Sequence, residues 1–155
     1  MKQLLRHTVA TVAYRAGKVL RDAPADFAGF RPAAGVRSPV EILAHMGDLF
    51  DWAVALAEGR SEWHDATPLP WDDEVARFFG CLGAFDRALA SDAPLGFPAE
   101  ELFQGPIADA LTHVGQIALL RRMAAKPIRG ENYLQAGIVA GRVGPDQAPA
   151  RREFD

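Results

Sequence analysis

Apolar side chains return every three or four residues in four separate stretches of the chain. Leu5, Val9, Val12, Ala16 and Val19 line one face of a helix over residues 3–21. Ser38-Pro39-Val40-Glu41 opens a second: the serine caps, the proline suits the first turn, and the glutamate closes a capping box. This helix runs to about Glu58, ahead of Gly59, with Ile42, His45, Leu49, Trp52 and Leu56 on its inward stripe. A third covers residues 72–90, with Val75, Phe78, Leu82, Phe85 and Leu89 inward and Asp72 and Asp73 at its positive end. The fourth covers residues 105–123, with Pro106 at its first position. Glycine and proline punctuate the connections at 22–37, 60–71 and 91–104. After Pro127 the pattern predicts one short helix at about 131–140 and then an extended tail. Strand patterns are negligible. The expectation is an all-α fold, a four-helix bundle forming a single domain over residues 1–155.

Two of the four inward faces carry something other than hydrocarbon. On the second helix, His45 stands among four apolar residues. On the fourth, Asp109, His113, Gln116, Leu120 and Met123 share one stripe, beside the wholly apolar Ile107, Leu111, Val114 and Ala118. An imidazole or carboxylate at a core position must find a partner or cost stability. If the second and fourth helices run the same way, His45 lies about 9 Å along its helix, and Asp109 and His113 about 4.5 and 10.5 Å along theirs. A crossover bundle would run these helices oppositely and would then need a stagger.

Two imidazoles and a carboxylate suit Zn²⁺ with a fourth position left for water or substrate; imidazole also takes Ni²⁺ and Fe²⁺. Gln116 could hold a bound water or orient a ligand from behind. Glu41 is a rival ligand one turn before His45, but the capping box explains it fully. His64, in the 60–71 loop, is a weaker candidate, and His7 reads as a solvated histidine near the start of the first helix. Cys81, the single cysteine, falls off the inward stripe and reads as a packing residue. The di-iron pattern, the zinc-protease His-Glu-x-x-His and a glycine-rich phosphate loop are all missing.

Composition narrows the field further. A net charge of −3 gives no footprint for nucleic acid. No apolar run is long enough for a membrane span, and the N-terminus lacks the apolar core of a signal peptide, so the expectation is a cytoplasmic protein. Apolar content of 49% is ordinary for a globular chain and sufficient for a core.

The stretches SPVEILAHMGDLFDWA and GPIADALTHVGQIALLRRM resemble the DinB/YfiT-like superfamily, and the tail GENYLQAGI extends the likeness more loosely. His45 matches that family's histidine on helix two, and His113, in His-Val-Gly-Gln, matches the second of its pair on helix four. Asp109 stands where many members have histidine; the related mycothiol-dependent maleylpyruvate isomerases are similar in having a carboxylate there. The resemblance implies a bundle fold, a divalent metal such as Ni²⁺ or Zn²⁺, a homodimer, and chemistry with low-molecular-weight thiols on a small electrophilic substrate. A hydrolase using metal-bound water and a non-catalytic metal-binding module are the alternatives. The last predicts a fourth protein ligand, Glu41 or His64, closing the site.

Overall fold

A computed structural model describes residues 1–154. Four long helical segments account for most of them. Helix α1 is Lys2–Leu20, α2 is Pro39–Ala57 and α3 is Trp71–Ala90. A short α4, Ala99–Leu102, continues through a π-helical segment, Phe103–Ile107, into α5, Ala108–Met123. The predicted stripes are the buried ones: Leu5, Val9, Val12, Ala16 and Val19 on α1, and Phe78, Leu82, Phe85 and Leu89 on α3. Phe50, Phe78 and Phe85 meet at the centre, with ring centroids 5.9 and 6.1 Å apart. The capping box at the start of α2 forms as the sequence predicts: the Ser38 backbone N–H donates to Glu41 Oε2 at 2.8 Å. No helix is long and apolar enough to cross a membrane.

The fourth helix begins earlier than expected. Pro106 is not at its first position but inside it, within the π-helical segment. A proline there cannot donate to the carbonyl four residues back, and its ring crowds that carbonyl. The widened π turn makes room for both defects. Part of the 91–104 connection is therefore helical, starting after Pro98.

Helix directions decide between the two arrangements. On α1 and α3, Lys2 Nζ donates to Ser91 O at 2.8 Å, while Gly17 lies against Phe79, so these two helices are antiparallel. Arg121 Nη1 donates to Val19 O at 3.0 Å, joining the C-terminal ends of α1 and α5, which are parallel. Along α2 and α3, Arg77 meets Ala44 and Asp48, and Glu58 shares a hollow with Ser91, so this pair is parallel as well. Trp52 faces Gly105 whereas Ile42 faces Leu120, so α2 and α5 run oppositely. The bundle is of the crossover kind, and the early start of the fourth helix is part of the stagger such an arrangement requires.

Parallel α2 and α3 force their connection to return along the length of the bundle. Gly59, with φ +84°, turns the chain out of α2. Its backbone packs directly on Gly96, where a Cβ would come within 2.0 Å of Gly59 N. Residues 60–70 then run back over α2. Ala66 N donates to Asp48 Oδ2 at 3.1 Å and Leu69 N to Glu74 Oε2 at 2.9 Å.

The expected helix at 131–140 does not form. Instead Gly130–Glu131 (β1) pairs antiparallel with Glu153–Phe154 (β2), and Tyr133–Gln135 makes one 3-10 turn. Asn132 accepts from Leu134 N and holds that turn, Leu134 is 94% exposed, and Gly141 takes φ +90°. Gly137 and Gly141 lower the helix preference of this stretch. The tail is tied down by charge instead. The buried Glu131 accepts from Tyr14 Oη at 2.6 Å and from Lys18 Nζ at 2.7 Å, and Lys18 also reaches Glu153 at 2.6 Å.

Candidate metal centre

Antiparallel α2 and α5 bring His45, Asp109 and His113 together. Nε2 of His45 lies 3.6 Å from Asp109 Oδ2, and Nε2 of His113 lies 3.4 Å from Asp109 Oδ1. The two imidazole centroids are 4.8 Å apart, and one donor atom from each residue falls within 4.8 Å of the others. Tetrahedral ligands at about 2.0–2.1 Å from an ion stand about 3.4 Å from each other. Each of the two approaches to Asp109 is close to that length, although they end on different carboxylate oxygens, and both exceed an ordinary charge-assisted hydrogen bond. The cluster could hold a metal ion.

The three side chains differ in exposure. His113 is the most enclosed, at 11% side-chain exposure; His45 is at 24% and Asp109 at 46%. His45 is thus at the rim of the core and not inside it, as its stripe suggested. Burial lowers its pKa, helped by the neighbouring His113 and Arg37 and opposed by Asp109, which favours a neutral ring able to donate a lone pair. Nδ1 of His113 lies 2.8 Å from Gln116 Oε1. With the hydrogen on Nδ1 donated to that oxygen, the lone pair of Nε2 points toward Asp109. Gln116 thus restrains the ring of His113 from behind.

The rival ligands lie outside the cluster. Glu41 holds the capping box and pairs with Arg31 at 2.6 Å, which keeps its carboxyl down at about 2. His64 sits on the exposed loop, 3.6 Å from Asp51. His7 is exposed. Cys81 is half-buried, and burial pushes its thiol up, against a nucleophile's role.

The returning loop covers one side of the cluster. Trp63 stands over the His45 ring with centroids 5.6 Å apart, and edge-on to Trp52 at 5.8 Å. On the other side, a hollow of about 610 Å³ opens between the 32–37 segment and α5. His113 and Gln116 line its inner end, and Ile42, Leu119, Leu120 and Met123 its walls. A second hollow, of about 360 Å³, includes His45 and Asp48, and Arg37 borders both.

One polar cluster escaped the sequence reading. Arg77 reaches Asp48 Oδ1 at 2.9 Å, Glu74 Oε1 at 2.5 Å and Ala44 O at 2.6 Å, with Glu74 completely buried. The three-residue spacing of Glu74 and Arg77 was the available signal. Comparison with known proteins gives no match to a family model, to a curated protein or to a solved structure.

Proposed function

We propose that the protein is a divalent-metal-dependent enzyme of the DinB/YfiT-like kind, acting on a small electrophilic molecule with an activated thiol. One observation carries this reading: two imidazoles and a carboxylate from two helices bring one donor atom each within 4.8 Å of the others, while Glu41 and His64 lie outside the cluster. His45, Asp109 and His113 would hold the ion, Zn²⁺ or Ni²⁺ by preference and Fe²⁺ next, leaving positions open to a small ligand. When bound, such an ion supplies a Lewis acid that lowers the pKa of a coordinated thiol or water. The protein's own groups do the rest. Asp109 offsets one of the ion's two charges. Gln116 fixes the ring of His113. Trp63 limits water on the His45 side, and the apolar hollow takes the electrophile.

The half-exposed site and the family resemblance of the two ligand-bearing stretches support the same reading, and the resemblance adds a homodimer. Elemental analysis of untagged protein purified without added metal tests it. Near one equivalent of metal is expected in the wild type and none in His113→Ala; equal metal in both would refute the site. Turnover of electrophiles with and without low-molecular-weight thiols then separates thiol chemistry from hydrolysis. A metal-loaded protein inert in both assays would leave a binding module.

A further inference from the structure

The hollow beside His113 has a definite chemical character. Its volume, about 610 Å³, falls within the range of small-molecule sites. Its walls are aliphatic, and two of them face solvent: Leu119 is 54% and Met123 53% exposed. Apolar side chains that expose so much surface on one concave face mark a binding surface more often than an accident of packing. The mouth carries one cation, Arg37. Its neighbour Arg31 is satisfied by Glu41 and by the Val36 carbonyl at 2.5 Å. Among the described residues no carboxylate pairs with Arg37. It also sits immediately before the N-cap of α2, where the helix dipole disfavours a positive charge. An anion at this place would relieve that.

We propose that this hollow binds a small apolar molecule ending in a carboxylate, with the carboxylate on Arg37 and the apolar body against Ile42, Leu119, Leu120 and Met123. The guanidinium offers the paired N–H geometry that a carboxylate accepts in bidentate fashion. The inner end of the hollow then brings the other end of the ligand to His113 and Gln116. The proposal names the substrate class for the metal-centre reading and takes its catalytic meaning from it. Binding itself needs only the hollow and Arg37.

Calorimetric titration of the full chain with 4-phenylbutyrate and with its uncharged counterpart 4-phenylbutan-1-ol tests the assignment, in metal-replete and chelator-treated protein. The acid should bind roughly tenfold more tightly than the alcohol, the return expected from one charge-assisted pair. Arg37→Gln should erase that preference, and Met123→Ser should weaken both compounds. Equal affinity for the two compounds, a preference that survives Arg37→Gln, or no binding because copies of the chain cover the hollow would each overturn it. A preference lost on removing metal would assign the carboxylate to the ion and overturn the proposal while leaving the metal centre intact. A preference kept in protein that never holds metal would sustain it while the metal reading falls.

Discussion

Two polar clusters lie within one turn of each other on α2, and they are built on opposite plans. Asp48 belongs to the first, with Glu74 and Arg77; His45 belongs to the second, with Asp109 and His113. In the first, contacts from Arg77 to oxygen run from 2.5 to 2.9 Å, and the remaining carboxylate oxygens accept from Ala66 N and Leu69 N. In the second, the approaches are 3.4 and 3.6 Å, and the imidazole and carboxylate lone pairs face a shared space. The charges are placed differently: a guanidinium stands between the two carboxylates of the first, whereas among the described residues no arginine or lysine pairs with Asp109. The contrast teaches that a buried polar cluster is read by what its lone pairs still lack. The first is complete and holds the returning loop in place. The second is complementary to a cation.

The comparison can be broken most directly from its closed side. Arg77→Met leaves Asp48 and the fully buried Glu74 without their counter-charge, and should cost about 3–5 kcal/mol in urea unfolding. His113→Ala on metal-free protein should cost far less, within about 2 kcal/mol, while abolishing bound metal. Similar losses in the two variants would erase the distinction. Gln116→Ala should weaken metal affinity by about 10–100-fold in a chelator competition, because it frees the ring of His113 without removing a ligand.

Gly47→Ala sharpens the picture of a rigid network. A Cβ at this position would come within 2.7 Å of the Arg77 guanidinium, which three partners hold still. A loss of about 1–3 kcal/mol is expected, and it should shrink in the Arg77→Met background when the two changes are combined in a cycle. The smallest effect concerns Glu41. Its folded pKa, about 2, lies below the ordinary 4.5, so its contribution is fully present above pH 4.5 and is lost as pH falls toward 2. Glu41 is 36% exposed and its pairing is screened by solvent, so about 1 kcal/mol or less is at stake. Glu41→Gln should flatten the stability curve across that window while leaving metal content unchanged; a fall in metal content would make Glu41 a ligand after all.

What could be read from the chain followed from how local each signal is. The stripes of α1 and α3 and the Ser38–Glu41 cap are written in neighbouring residues, and they fold as written. Pro106 misled because a proline at a first position and a proline inside a π turn have the same local sequence. The difference lies in whether residues 99–105 find a helical partner, and packing decides that. The convergence of His45 with Asp109 and His113 was legible as three polar residues on inward faces. The helix directions that bring them together were not, since long connections permit either course. Arg37 and Trp63 belong to loops without periodicity, and only the return of the chain over α2 gives them neighbours.

The corner where Glu131 meets Tyr14 has a consequence for how the molecule comes to be. Tyr14 waits for a partner 117 positions further along the chain, and Lys18 waits for one 135 positions away. Contacts this remote in sequence form late, because the entropy of closing so large a loop is lost before any contact rewards it. On a ribosome, α1 emerges with two of its polar groups unanswered, and it keeps water around them until Glu131 and Glu153 have been made.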